Sequence, residues 1–224
     1  VTGAKGFIGK NLVSTLERED KYKIICIDRE NSKAELEKGV LNSDFIVHLA
    51  GINRPKNEEE FFEGNTGLTE DIIEILKKNN KNTSILITSS IQADLDNAYG
   101  QSKKGAEEAL IKYMADTKGN VFIFRLPNVF GKWCRPNYNS AIATFCHNIA
   151  RGEEVWISDA TKEMTLVYID DVVRNIKNVI DNEENYIPGY QNVDIEHKAT
   201  LGEIVDLINS FKESRKSLMI PNME

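Results

Sequence analysis

The chain has 224 residues, 41% of them apolar and 28% charged, the balance of an ordinary water-soluble domain. It carries 28 Lys and Arg against 35 Asp and Glu, a net charge of −7, which argues against nucleic acid or an anionic membrane surface as the main partner but leaves room for a local basic pocket. A chain of this length buries about 70% of its unfolded surface and needs neither disulfides nor a metal to fold.

Gly3-Ala4-Lys5-Gly6-Phe7-Ile8-Gly9 comes first. Glycine at 3 and 6 lets the backbone turn tightly and approach a pyrophosphate with no Cβ in the way, and Gly9 lets the following helix pack close. Ile8, Leu12 and Leu16 recur every four residues and predict that helix, whose N-terminus offers N–H groups to an anion. The spacing is G-x-x-G-x-x-G, which on its own also suits a simple turn. Ile24-Ile25-Cys26-Ile27 then predicts a buried strand that ends at Asp28-Arg29. An acid at that point would hold the ribose hydroxyls of an adenosine, and an arginine would meet a 2′-phosphate. Here both chemistries sit side by side.

Further apolar runs, Phe45–Leu49, Ile85–Ile87 and Val121–Phe124, predict strands covered on both faces. Between them Leu68, Ile72, Ile75 and Leu76 form one helical stripe, and Ala106, Ala109, Leu110 and Tyr113 another. Thr88-Ser89-Ser90 closes the strand before the second of these, at the carboxyl end where open parallel sheets bind ligands. Ser90 is the first choice for a hydroxyl that polarises a carbonyl, with Ser89 in reserve. Tyr99-Gly-Gln-Ser-Lys103 opens the helix itself. The i, i+4 spacing sets both side chains on one face. A nearby ammonium would lower the phenol from about 10 and fit it for proton transfer near neutral pH. Read alone, the pair is also an ordinary feature of a helix surface.

After residue 126 the pattern loosens around Pro127, Pro136 and several asparagines. Two more helices are predicted, one on Val172, Val173, Ile176, Val179 and Ile180, the other on Leu201, Ile204, Val205, Ile208 and Phe211, the latter opened by the capping box Thr200-x-x-Glu203. The tail from Ser210 is polar. Alternating strands and helices predict an α/β, Rossmann-like doubly wound parallel sheet. Its dinucleotide-binding domain would span 1–126, with the first strand largely missing, and a loop-rich substrate lobe would span 127–224, interleaved with the last part of the sheet. The chain opens on Val1, so an upstream segment is expected. Cys26, Cys134 and Cys146 fit no zinc or redox spacing, which points to a reducing, cytoplasmic setting and no metal site. No apolar run approaches the ~20 residues of a membrane helix, and no signal peptide is visible.

Taken together, the glycine fingerprint, Ser90, Tyr99 and Lys103 resemble the extended short-chain dehydrogenase/reductase family, the NAD-dependent epimerases, dehydratases and reductases of nucleotide sugars. His48-Leu49-Ala50-Gly51, Asn65, Arg125-Leu-Pro-Asn128-Val-Phe-Gly131 and Val167-Tyr168-Ile-Asp-Asp171 extend the resemblance over nearly the whole chain. The stretches Leu49–Pro55, Ser89–Ala93 and Phe130–Ser140 are similar to the capsular-polysaccharide and O-antigen reductases that make UDP-2-acetamido-2,6-dideoxy-L-talose on the route to UDP-N-acetyl-L-fucosamine. The resemblance implies a reductase domain fused to a C-terminal cupin domain absent from this chain, and a homodimer formed through the helices after Asn65 and from Tyr99. It implies a UDP-linked keto sugar as substrate and NADPH as the preferred cofactor, with NADH possible. It places Ser90, Tyr99 and Lys103 at the chemistry. Gly3, Lys5, Gly6, Phe7, Ile8, Asp28, Arg29, Leu49, Ala50, Gly51 and Lys103 would hold the cofactor, and Ser89, Gln92, Asn128, Lys132 and Arg135 the substrate.

Two departures stand out. The segment between Asp28 and Phe45 is short for an extended member, and Met164 stands where many members carry an arginine for the substrate diphosphate. Lys132 and Arg135 are then the candidate cations, with Arg54 a weaker one. Ile91-Gln92 occupies the place of the Asp-Glu pair of 4,6-dehydratases, and neither side chain can act as acid or base. A 4-epimerase with retained NAD uses the same three catalytic residues and remains the alternative enzyme. A non-catalytic NAD(P)-binding regulator is the alternative of another class.

Overall fold

The computed structural model describes residues 1–217, with side chains as far as residue 214; the polar tail beyond them lies outside the described residues. The chain divides into two compact units, Val1–Leu126 with Asp170–Asp194, and Pro127–Ile169 with Ile195–Glu224.

The first unit is built on a parallel sheet of β1 (Phe45–His48), β2 (Ser84–Ser90), β3 (Val121–Leu126) and β6 (Gly189–Gln191), in the order β1-β2-β3-β6. Ile85 pairs with Val121 and Ile87 with Ile123. These residues share one face, where they pack on Ile72, Leu76, Ala106, Leu110 and Tyr113. Those partners come from α4 (Leu68–Lys78) and α5 (Ala98–Asp116). The alternate residues Val47, Leu86, Phe122 and Phe124 are buried as deeply, so the other face is covered too, which is why these strands read as unbroken apolar runs. Helices α1 (Phe7–Leu16) and α7 (Ile169–Asp181) bury Leu12 and Leu16, and Val172, Val173, Ile176 and Val179.

One expected strand is absent. Ile24–Ile27 pairs only through an isolated bridge from Ile27 to Thr2, and Cys26 is exposed. Its neighbour in the sheet is the short stretch Val1–Gly3, which Ile27 meets by donating to the Val1 carbonyl and accepting from the Gly3 N–H. Thr2 bridges to His48 on its other side. A partner this short cannot build a ladder, and the segment stays half-buried. Between Asp28 and Phe45 there is one helix, α2 (Lys33–Leu41), and no strand. Its capping box, Ser32 with Glu35, is fully formed.

Before α4 the chain runs through a one-turn helix, α3 (Glu59–Phe61), into a π-helical turn at Phe62–Gly67, a rare geometry that is frequent at functional sites. The second unit holds β4 (Asn128–Phe130), β5 (Glu163–Tyr168) and β7 (His197–Thr200), in the order β4-β5-β7, with α6 (Ala141–Arg151) and α8 (Leu201–Ser217). Phe145, Ile149, Leu166, Leu201 and Ile204 form its core. The predicted capping box at Thr200 and Glu203 is present, each residue's side chain accepting the other's backbone N–H. No helix among the described residues is long and apolar enough to cross a membrane.

Candidate active site

The glycine-rich turn is tight for identifiable reasons. Gly3 has φ +65°, and a Cβ there would stand 2.7 Å from the Ala50 nitrogen. A Cβ on Gly9 would stand 2.1 Å from the Gly3 carbonyl oxygen. Gly3 therefore lets the turn press against Leu49–Ala50 at the end of β1, and Gly9 lets α1 start directly on the turn. Gly6 caps α1 without a side chain, and no acidic residue occupies the first turn. The Phe7 and Ile8 N–H groups, which no helical carbonyl can reach, form with Gly6 a cradle for an anion.

At the edge of that cradle, Asp28 accepts the Lys5 backbone N–H at 2.6 Å and is held from behind by Asn31, whose Oδ1 takes the Asp28 N–H at 2.8 Å. The Lys5 ammonium pairs with Glu30 at 3.1 Å on the surface. Arg29 is exposed beside them.

The third cluster lies where β2 ends. β2 runs through Ser90, three residues beyond the apolar run that predicted it. The Ser90 hydroxyl accepts the Gln92 N–H at 3.1 Å and lies close enough to the Tyr99 phenol to influence it. Asn97 caps α5 by accepting the Gly100 N–H at 2.8 Å, and this starts the helix in the register that brings Tyr99 to Ser90. Tyr99 also packs on the Phe61 ring, with centroids 5.6 Å apart. Lys103, one turn on, is buried and donates to the Thr88 carbonyl at 2.9 Å. Burial lowers its ammonium to about 8, against the pull of Glu107.

The expectation that Lys103 depresses the Tyr99 phenol is corrected here. Burial pushes that phenol up, and it is the Ser90 hydrogen bond that opposes the rise. The Lys103 ammonium is turned to the Thr88 carbonyl, and desolvation of the phenolate outweighs any attraction.

These clusters converge. A Cβ on Gly51 would stand 2.8 Å from Asn65 Oδ1 and 3.6 Å from Lys103 Nζ, so the loop after β1, the π-helical turn and the start of α5 meet around one point. The sequence resemblance includes Asn65 but gives it no role. It is buried, accepts the Ile52 N–H at 2.8 Å, and donates to the Ile52 carbonyl at 3.0 Å and to Ser102 Oγ at 2.9 Å. Its position just ahead of an apolar helical stripe was the available signal.

Of the residues expected to touch substrate, Ser89 is buried on β2 with its hydroxyl unpartnered, and Gln92 is exposed on the following turn. Asn128, Lys132 and Arg135 belong to the second unit. There Asn128 donates to the Thr165 carbonyl at 3.2 Å, and Arg135 lies over the Tyr138 ring at 5.4 Å.

A model of the NAD dependent epimerase/dehydratase family matches residues 1–193. The chain belongs to this family. Within it, the chain is 47% identical over 218 residues to a UDP-2-acetamido-2,6-beta-L-arabino-hexul-4-ose reductase of Pseudomonas aeruginosa, covering 97% of this chain and 58% of that protein. The crystal structure of the capsular polysaccharide assembling protein CapF of Staphylococcus aureus superimposes with a TM-score of 0.88 at 47% identity, over 99% of this chain and 60% of CapF. The chain thus spans somewhat over half the length of these relatives. A UDP-glucuronic acid 4-epimerase of Bacillus cereus, crystallised with NAD, has a TM-score of 0.83 over 94% of this chain and 83% of its own. At 19% identity it shares the fold. The residues of the family's dinucleotide site fit such a cofactor here: no side chain caps the cradle at Gly6–Ile8, no acid stands in the first turn of α1, and the carboxylate of Asp28 stands at its rim.

Proposed function

We propose that this chain is the reductase part of a nucleotide-sugar enzyme, which reduces the 4-keto group of a UDP-linked 2-acetamido-2,6-dideoxy-hexos-4-ulose with NADPH in capsule or O-antigen sugar synthesis. The 47% identity to the Pseudomonas reductase supports the substrate class. The single structural observation that carries the reaction is that Tyr99, with Lys103 one helical turn on, stands against the carboxyl end of β2, where Ser90 closes the strand and Lys103 donates to the Thr88 carbonyl.

The Gly6–Ile8 cradle binds the pyrophosphate through backbone N–H groups, and Lys103 meets the nicotinamide ribose. When bound, the cofactor supplies the hydride. Ser90 polarises the keto oxygen. Tyr99, kept protonated by burial, gives its proton to that oxygen as charge develops on it, a contribution of about 10²–10⁴ in rate. Ile91-Gln92 supplies no acid or base for elimination, so the sugar leaves reduced rather than dehydrated. Ser89, Gln92, Asn128, Lys132 and Arg135 contact the nucleotide sugar in this reading. It also carries a homodimer and a C-terminal cupin domain as partners.

NADPH is preferred and NADH remains usable. The Asp28 carboxylate is engaged by the Lys5 N–H, and Arg29 is exposed beside it, where it can meet a 2′-phosphate. The test follows the absorbance of the reduced nicotinamide when full-length protein meets the UDP-linked 4-keto sugar. Stoichiometric loss is expected. Conversion of sugar with no net oxidation would replace the reductase by an epimerase.

A further inference from the structure

Five buried polar residues of the first unit are linked by hydrogen bonds, one of them through the Asn65 main-chain carbonyl, into a series that the proposed chemistry does not use. The Ala50 N–H donates to Thr2 Oγ1 at 3.3 Å, Thr2 Oγ1 lies 2.6 Å from His48 Nδ1, and His48 Nε2 lies 3.0 Å from Thr69 Oγ1. Thr69 donates to the Asn65 carbonyl at 2.7 Å, and the Asn65 amide donates to Ser102, which donates to the Tyr99 carbonyl at 2.8 Å. Thr2, His48, Asn65, Thr69 and Ser102 are each at most 4% exposed. The chain therefore runs from the loop beside the glycine turn to the backbone of the proton donor.

Its proton directions can be counted. Thr69 has one hydroxyl proton, which goes to the Asn65 carbonyl, so toward His48 it can only accept. His48 must then carry its proton on Nε2. A neutral imidazole has a single N–H, so Nδ1 accepts, and it accepts from Thr2. Thr2 in turn takes the Ala50 N–H on a lone pair. With the proton on Nδ1 instead, the Thr2 hydroxyl would lose its acceptor and the Thr69 hydroxyl would have to choose between two.

We infer that His48 is a positioning residue, locked as the neutral Nε2–H tautomer, which fixes the cofactor loop at Ala50–Gly51 through Nδ1 and the Asn65–Ser102–Tyr99 side of the site through Nε2. The inference deepens the reductase reading, yet half of it concerns dinucleotide binding alone.

The two ends can be cut separately. The amide of His48→Asn reaches only the position of Nδ1 and keeps Thr2; the amide of His48→Gln reaches the position of Nε2 and keeps Thr69. In the full-length protein, NADPH affinity by titration and kcat with the UDP-linked 4-keto sugar should split in opposite senses. His48→Gln raises the NADPH Kd about tenfold and lowers kcat much less; His48→Asn lowers kcat about tenfold and changes the Kd much less, each being the loss of one buried hydrogen bond. ¹⁵N spectra of the wild-type imidazole, which need no sugar, should report the Nε2–H tautomer. Equal losses of both quantities in both variants would reduce His48 to a packing role, and an Nδ1–H or rapidly exchanging tautomer would overturn the proposal even if both variants failed to fold. Failure of the sugar to be reduced by the wild type would count against the reductase reading and leave the NADPH and tautomer results standing.

Discussion

Replacing Gly9 by alanine tests the cofactor cradle at its foundation. The new methyl would lie 2.1 Å from the Gly3 carbonyl oxygen and 2.8 Å from the Ala4 backbone. Every one of those atoms is backbone, so no side chain can rotate aside and α1 must shift by more than an ångström, on the order of the missing clearance. Overpacking costs about 1–3 kcal/mol, and the rigid surroundings place this case near the upper end. Alanine's better helix propensity returns about 1 kcal/mol, leaving about 2 kcal/mol of destabilisation. For a chain of this size that lowers Tm by about 4–8 °C. The same shift moves the Phe7 and Ile8 N–H groups, and the loss of one charge-assisted hydrogen bond weakens NADPH binding about ten- to a hundredfold. Gly6→Ala is the control. Its methyl would meet only the Gly3 oxygen, at 3.0 Å, and the cap loss costs the fold less than about 1 kcal/mol, but it stands where the phosphate approaches. NADPH affinity should fall with little change in Tm. Thermal unfolding and fluorescence titration of the two variants read both quantities. A Gly9→Ala protein with unchanged Tm and unchanged NADPH affinity would refute the packing argument.

Tyr99→Phe should lower sugar reduction by about 10²–10⁴ while NADPH affinity stays within a few fold, because in the proposed reaction the phenol acts on the sugar and the cradle holds the phosphates; stopped-flow hydride transfer and cofactor titration separate the two. Lys103 makes stability depend on pH. Its folded value of about 8 lies below its unfolded value of about 10.5, so between them the unfolded chain binds more protons and stability rises with pH through that window. Urea unfolding at pH 7.5 and 9.5 should therefore show the wild type gaining about 2 kcal/mol relative to Lys103→Met, and a constant difference would mean that Lys103 is not held near 8. Arg29→Ala should lower NADPH efficiency by about ten- to a hundredfold and barely change NADH; steady-state kinetics with both cofactors would expose the opposite outcome, in which Asp28 governs the pocket and NADH is already preferred.

The central sheet was legible because β1, β2 and β3 are covered on both faces, which demands unbroken apolar runs in the sequence. Ile24–Ile27 has such a run and meets Val1–Gly3 through one bridging residue, with Val1 and Gly3 hydrogen-bonded to Ile25 and Ile27. The second unit was harder to read. α6 has its own start and stop, Ser140 accepting the Ala143 N–H and Gly152 in the left-handed region, but they stand among asparagines and prolines that read as loop. α2 buries only Leu36, Gly39 and Val40, too few for a stripe. Tyr99 and Lys103 were legible as a pair because four residues make one helical turn. The direction of the phenol's shift was not, because it depends on burial and on where the ammonium points. Nor was the Asn65 clamp, whose partners Ile52 and Ser102 are 13 and 37 residues away and are joined to it only by the fold.

In the proposed reaction, hydride passes to the sugar's 4-keto carbon with Tyr99 as proton donor. This is tested most directly by giving the full-length protein NADPH deuterated at the transferred position together with the UDP-linked 2-acetamido-2,6-dideoxy-hexos-4-ulose. One deuterium is expected at C4 of a reduced UDP-sugar for each NADPH consumed, with none formed by Tyr99→Phe on the same timescale. Unconsumed NADPH with the sugar converted to an epimer, or a Tyr99→Phe protein that labels C4 at the wild-type rate, would contradict it.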